Sequence, residues 1–332
     1  MRRVPALVAL VAIAALALAG CSSATTPDAA TKPDAAASDE LRTIVVGGIA
    51  NVDMAAMYVG EKQGFFAEEG LDVEIEFGGG TAAMIPALLN GQYDIQFGGA
   101  PNLIQAIDAG IPVTAVTVGG RSTGVRGADH GAVVVAENSE IQSPADLEGK
   151  TVAVLALHGL HQIATWQSIL NAGGDPEAVK WVEMPFPDMA AAVDSGDVDA
   201  AVTSEPFLGL ALASGKREIA SPFVDVAPGF VSGLYLAAVD RVETEPELYE
   251  AFSRALQKSY EYSQEHSDEI RAELGNFTEI EAGLASKMIL TDFTWGLTYD
   301  DLLVVAEAAA AAGSVKDPEG AAKKAALFVD PQ

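Results

Sequence analysis

One short pattern occurs twice in this chain with its punctuation intact. Leu88-Leu-Asn-Gly91-Gln-Tyr-Asp94-Ile-Gln-Phe-Gly-Gly-Ala-Pro101 is matched by Ala192-Val-Asp-Ser-Gly196-Asp-Val-Asp199-Ala-Ala-Val-Thr-Ser-Glu-Pro206. Gly91, Asp94 and Pro101 fall on Gly196, Asp199 and Pro206 at the same two intervals. Each copy reads as a helix closed by glycine, a turn at aspartate, a short apolar strand and a loop that ends in proline. A chain that repeats this unit is constrained to build two similar α/β lobes around mainly parallel sheets.

The surrounding sequence extends both copies. Thr43–Val46 reads as a buried strand and Met54–Glu69 as a helix, with Met54, Met57, Tyr58 and Phe65 on one side and Gly70 as its stop. The strand Leu71–Phe77, helix Ala82–Asn90, strand Tyr93–Phe97, helix Pro101–Ala109 and strand Val113–Val118 follow. Thr151–Val154 restarts the series and the helix Gln162–Ala172 follows it. Between the arrays lie two apolar strands, Gly131–Ala136 and Val231–Val239. They predict two crossings near 130–136 and 231–239, with lobe 1 formed from 41–129 and 235–330 and lobe 2 from 137–230. The tail reads as helical over Pro246–Ala272, Ile280–Thr291 and Tyr299–Ala312.

The N-terminus has a different character. Arg2 and Arg3 precede an Ala/Leu/Val run that closes on Leu18-Ala19-Gly20-Cys21, and Cys21 is the only cysteine. This resembles a bacterial lipoprotein signal, which implies cleavage after residue 20 and lipidation of Cys21. Residues 21–40 are Ala, Ser, Thr, Pro and Asp with almost nothing large and apolar, the composition of a flexible linker. Such a chain is expected at the cell membrane, anchored by its lipid and facing the extracytoplasmic side.

Composition narrows the partners. With 49% hydrophobic and 20% charged residues the body can bury a full core. A formal charge of −28 makes nucleic acid a poor partner. No phosphate loop follows Gly78-Gly79-Gly80-Thr81, because the lysine is missing. His158 and His161 lie three apart but have no third ligand near in sequence, and His130 and His266 carry no ligand-like pattern, so no metal and no cofactor are expected.

Five loops fall at expected strand ends, where open α/β sheets bind ligands: Ala50–Asp53, Gly79–Thr81, Gly98–Asn102, Leu157–His161 and Ser204–Phe207. The candidate solute contacts drawn from them are Asn51, Asp53, Gly80, Thr81, Gly99, Ala100, Asn102, His158, His161, Glu205 and Phe207. Arg121, after Gly119-Gly120, joins them as a clamp for an anion or as a solvated side chain. Trp166 and Trp295 offer flat walls for a ring.

Several motifs together carry a family resemblance. They are Gly60-Glu-Lys-Gln-Gly64-Phe-Phe66-Ala-Glu-Glu-Gly70-Leu-Asp-Val73, the Leu89-Asn-Gly91-Gln-Tyr-Asp94 turn, Ser143-Pro-Ala-Asp-Leu-Glu-Gly149-Lys-Thr-Val-Ala153 and Glu205-Pro206-Phe207. The chain resembles the solute-binding proteins of ABC importers, within the nitrate, aliphatic-sulfonate, taurine and thiamine-precursor branch. The resemblance implies a two-lobed periplasmic-binding-protein fold (type II-like) with two hinge crossings and a helical C-terminal tail. It implies a monomer that closes over a small organic solute or oxyanion, without catalysis, and delivers it to a membrane ABC permease. A thiamine-precursor-synthase-like enzyme, or an extracellular sensor module for a membrane receptor, are the alternatives that the same fold allows.

Overall fold

The apolar run at Arg42–Gly48 forms β1, with Ile44 and Val46 wholly buried. In the computed structural model, which describes residues 41–278 and 280–329, it starts a five-stranded sheet. A 3-10 turn at Val52–Met54 leads into α1 (Ala55–Gln63) and α2 (Phe65–Glu68). The single helix expected over 54–69 is therefore broken, because Gly64 adopts a left-handed φ of 83° between its two pieces. Strand β2 (Leu71–Phe77), α3 (Thr81–Leu89), β3 (Ile95–Gly99), α4 (Ala100–Asp108) and β4 (Val113–Arg121) complete the first array.

The second array holds β5 (Gly131–Ala136), β6 (Thr151–Val154), α5 (Leu160–Asn171), β7 (Lys180–Glu183), α6 (Phe186–Ser195), β8 (Ala200–Ser204), α7 (Phe207–Ala213), β9 (Lys216–Ala220) and α8 (Pro222–Val226). The chain then returns through β10 (Val231–Ala238) and α9 (Val239–Thr244). The tail is α10 (Pro246–Glu265), α11 (Ser267–Thr278), α12 (Ala282–Ala285), α13 (Tyr299–Ala311) and α14 (Pro318–Ala325). Of the expected helix 280–291 only α12 forms; the rest is a turn and irregular chain, and Asp292 bridges to Arg121 at the end of β4.

The sheet orders are β2-β1-β3-β10-β4 and β7-β6-β8-β5-β9. In each, three parallel strands are followed by an antiparallel strand and an edge strand, so the duplication read from punctuation extends to topology. Gly91 and Gly196 take φ of 78° and 77°, a conformation that glycine adopts without steric cost.

One expectation about the crossings is corrected. β5 and β10 are not hinge strands shared by two lobes. β5 pairs with β8 and β9, and β10 pairs with β3 and β4, so each is a central strand of one sheet. Both are buried along almost their whole length, and an apolar strand of this kind needs a neighbour on each side. The actual crossings are the stretches 122–130 and 221–230. They lie against each other: Ser122 N donates to Phe230 O at 2.9 Å and Gly127 N to Ser221 Oγ at 2.8 Å, and Arg126 pairs with Asp225.

The lobe 2 sheet has an apolar core on each face. Ala132, Val134 and Ala201 lie beneath α6 and α7, and Val133, Val135 and Val202 lie on the other side with Ile169 of α5. Ile163 and Ala164 of α5 and Phe223 of α8 belong instead to the continuous lobe 1 core. The lobes are thus packed together through α5. Among the described residues no helix is long and apolar enough to cross a membrane. The expected signal sequence, Cys21 and linker lie outside the described residues.

Candidate functional site

The five loops all sit at the carboxyl ends of strands, after β1, β2, β3, β6 and β8, and they connect into one chain of contacts. Thr81 Oγ1 accepts from Gly99 N at 2.9 Å, joining the loops after β2 and β3. A Cβ on Gly99 would lie 3.2 Å from Leu160 Cβ, so the loops after β3 and β6 meet face to face across the lobes. Gln105 Nε2 of α4 donates to His158 O at 2.6 Å in the same place. His161 Nε2 lies 2.8 Å from Ser204 Oγ, joining the loops after β6 and β8. Val52 N donates to Glu205 O at 3.3 Å, which closes the circuit back to the loop after β1.

Two carboxylates stand in this circuit, one from each lobe. Asp53 is 3% exposed; its Oδ2 accepts from Asn51 Nδ2 at 2.9 Å, Oδ1 has no hydrogen-bond partner among the described residues, and the Thr291 hydroxyl beside the carboxyl helps to lower its pKa. Burial raises its pKa against the opposing pull of His130. Gly120 is what admits it, since a Cβ there would fall 2.4 Å from Asp53 Oδ1. Glu205 is 2% exposed; its Oε2 accepts from Gly209 N at 2.9 Å and its Oε1 from Ile289 N at 3.1 Å. Burial raises this pKa as well. The Ile289 bond brings the irregular tail segment of lobe 1 onto a strand end of lobe 2.

Sequence reasoning passed over His130. It is 1% exposed on the first crossing, with Nδ1 3.2 Å from Asp129 Oδ1 and Nε2 3.8 Å from Asp53 Oδ1. Burial works against charging it, but Asp53, Asp129 and Glu205 outweigh that and hold the imidazole above its usual range. Asp129 is fastened by Ser122 Oγ at 2.8 Å and Thr123 N at 2.9 Å. The signal was present only as a charged pair, Asp129-His130, placed directly before an apolar strand. Aromatic rings line the same region: Phe223 lies 5.1 Å from the His130 ring and 5.7 Å from His161, which packs edge-on against Phe186 at 5.1 Å.

The other candidates divide. Thr81 and Ala100 are buried in the loop junction, Asn102 is half-buried beside Gly99, and Gly80 caps α3 at φ 148° with open space around it. His158 is exposed with a left-handed φ of 57°. Phe207 turns its ring onto Phe186 at 5.6 Å. Arg121 is corrected. Its Nη1 and Nη2 bond the two Asp301 oxygens, each at 2.9 Å, and also Gly229 O at 3.1 Å and Gly296 O at 2.6 Å. Its two terminal nitrogens are therefore committed to tying β4 to α13, and among the described residues only the buried Nε has no partner. Trp295 docks the tail, edge-on to Tyr260 at 5.5 Å.

The model of the family described as NMT1/THI5 like matches residues 51–270. The chain belongs to the NMT1/THI5-like family. This span includes both crossings and, apart from Ala50, all five loops. A formylaminopyrimidine-binding protein of Halalkalibacterium halodurans is 29% identical over 267 residues, 77% of this chain and 74% of that protein. The fold is shared with the periplasmic aliphatic sulphonate binding protein SsuA of Escherichia coli, at 18% identity and TM-score 0.65 over 81% of this chain and 91% of that one. It is shared too with the periplasmic nitrate-binding protein NrtA of Synechocystis PCC 6803, at 15% identity and TM-score 0.66 over 86% and 89%. A desulfurization enzyme, DSZB, has the same fold at 16% identity and TM-score 0.62 over 87% and 96%.

Proposed function

We propose that this NMT1/THI5-like protein is an extracytoplasmic solute-binding protein that captures a small nitrogen heterocycle of the pyrimidine-precursor kind between its lobes and delivers it to an ABC permease. The observation that carries this reading is the sign of the site. Asp53 and Glu205 approach from opposite lobes, Asp53 Oδ1 is a buried acceptor with no partner within hydrogen-bond distance among the described residues, and none of the five loops contains a lysine or arginine. A solute with N–H donors satisfies such groups, whereas nitrate or a sulfonate would bring a second set of acceptors to them. Helix N-termini often hold anions, but at α7 the Gly209 amide is already taken by the Glu205 carboxylate. The relative that binds formylaminopyrimidine supports the same class of solute.

Capture follows from the lobes closing about the stretches 122–130 and 221–230, which brings Asp53, Thr81, Gly99 and Asn102 of one lobe against His161 and Glu205 of the other. The lipid on Cys21 would keep the protein at the membrane beside its permease, as a monomer. Titration calorimetry with formylaminopyrimidine, 4-aminopyrimidine, ethanesulfonate and nitrate tests the reading. Binding of the pyrimidines without change to them is expected; tight binding of an anion alone, or turnover of a bound pyrimidine, would replace it. Cys21→Ser should abolish labelling by a radioactive fatty acid and leave solute affinity unchanged.

A further inference from the structure

We propose that His130 is a specificity-determining residue of the solute site, holding the acceptors of both lobes ready for a donor-bearing solute. This rests on the function proposed above and assigns part of it to a side chain that need not touch the solute.

The placement of His130 carries the argument. It belongs to the first crossing, the segment whose dihedrals change when the lobes move. Its backbone carbonyl accepts from Glu205 N at 2.8 Å, so it is tied to the strand end of lobe 2. Its Nε2 points toward Asp53 of lobe 1 at 3.8 Å, beyond hydrogen-bond reach, and toward Ser232 Oγ of β10 at 3.4 Å. Its Nδ1 meets Asp129 on its own segment. Phe223 of α8 covers the ring, and His161 of α5 is the remaining titratable group nearby. One residue on the crossing thus sets its imidazole against Asp53 of lobe 1 and its backbone against Glu205 of lobe 2, while itself being 1% exposed.

The electrostatics follow from that placement. Asp129 lies against the imidazole and favours its charged form. Burial favours the neutral carboxyl at Asp53 and Glu205, and the charge on His130 opposes this at both. A protonated carboxyl loses acceptor capacity and gains a donor, which a solute N–H cannot use. His130 therefore sets how far the pH can fall before the site stops accepting donors. Its distance from Asp53 Oδ1 leaves that oxygen available for the solute.

The test is the pH profile of affinity, measured by calorimetry with formylaminopyrimidine and with 4-aminopyrimidine. Wild-type affinity should fall on the acid side as Asp53 and Glu205 take up protons. In His130→Gln the acid limb should move to higher pH by on the order of one unit, because the carboxylates lose their counter-charge. Asp129→Asn, which loosens the imidazole but also removes a carboxylate whose charge raises Asp53, should give a smaller shift in the same direction and stands in if the first variant folds poorly. A purely structural role would lower affinity equally at all pH. Coincident acid limbs with intact pyrimidine binding would overturn the role of His130 and leave the proposed function standing. Binding of nitrate or ethanesulfonate but neither pyrimidine, or of no probe at all, would overturn both.

Discussion

Asp94 and Asp199 hold the same position in the two sheets: the Oδ2 of each accepts the amide of a neighbouring strand, from Val45 at 2.9 Å and from Thr151 at 2.8 Å. Each aspartate amide donates back to the carbonyl of that same residue, at 2.9 Å and 2.8 Å. A helix closed by glycine is thereby locked to the middle one of the three parallel strands of its own sheet, β1 or β6.

Asp94→Asn and Asp199→Asn should each destabilise the protein by about 1 kcal/mol, through weakening a charge-assisted bond to a backbone amide. Because the two sites lie in different sheets and share no partner, the losses should add in the double variant. Urea unfolding of the four proteins checks this. A double variant no worse than either single one would mean that the locks are not independent.

Arg121 links β4 to α13 through Asp301 and two carbonyls. Arg121→Ala should cost about 2–4 kcal/mol, somewhat less than breaking a fully buried pair, since Asp301 keeps some access to water. Solute affinity, extrapolated to the folded fraction, should remain within about twofold, well under the 1.4 kcal/mol that a tenfold change represents. Parallel melting and calorimetry separate the two quantities; a large affinity loss with normal melting would restore Arg121 to the site.

His161 gives the fold an acid sensitivity of known sign. Burial, together with the charge on His130, pushes its pKa down to about 3 from an ordinary 6.5. Between those values the unfolded chain binds a proton that the folded one refuses, so stability falls as pH drops from 6.5 toward 3. This one group accounts for up to about 1.4 kcal/mol per pH unit there, and for nothing above that window. His161→Gln can still reach Ser204 but cannot charge, and should flatten the acid side of a melting-temperature profile. Identical acid slopes in the two proteins would exclude the effect.

Gly99 marks where the lobes touch. A side chain there would meet Asn102 Oδ1 at 3.0 Å and Leu160 Cβ at 3.2 Å. Gly99→Leu should therefore hold the lobes apart, weaken pyrimidine binding at least tenfold and give a larger radius of gyration in small-angle scattering at saturating solute. Unchanged scattering and affinity would place the contact outside the closing motion.

The fold was legible because its determinants are local. Gly91, Asp94 and Pro101 each have a backbone reason to recur, and the apolar strands between helices have nowhere to go but the middle of a sheet. That the five candidate loops are strand ends was legible for the same reason. What eluded sequence reasoning depends on distance in space. Arg121 and Asp301 reveal nothing of each other in sequence, and the tail reaching Glu205 through Ile289 hides in a stretch whose composition reads as helix. His130 has no motif because its partners come from the loop after β1, the end of β8 and its own neighbour. Positions of β5 and β10 were misread as shared hinges because apolar strands at a lobe boundary look alike whichever sheet they join.

The order of strands also bears on how the chain assembles. All five strands of the lobe 2 sheet, β5 to β9, are consecutive, so this sheet can complete itself once Ala220 has been made. The lobe 1 sheet lacks its central strand β10 until the whole of lobe 2 has been made, and until then β3 and β4 have no common neighbour. Pairings of such long sequence separation form slowly. Nascent lobe 2 can therefore be native while lobe 1 waits with an open seam, and a chaperone that guards this protein would find its binding surface at β3 and β4.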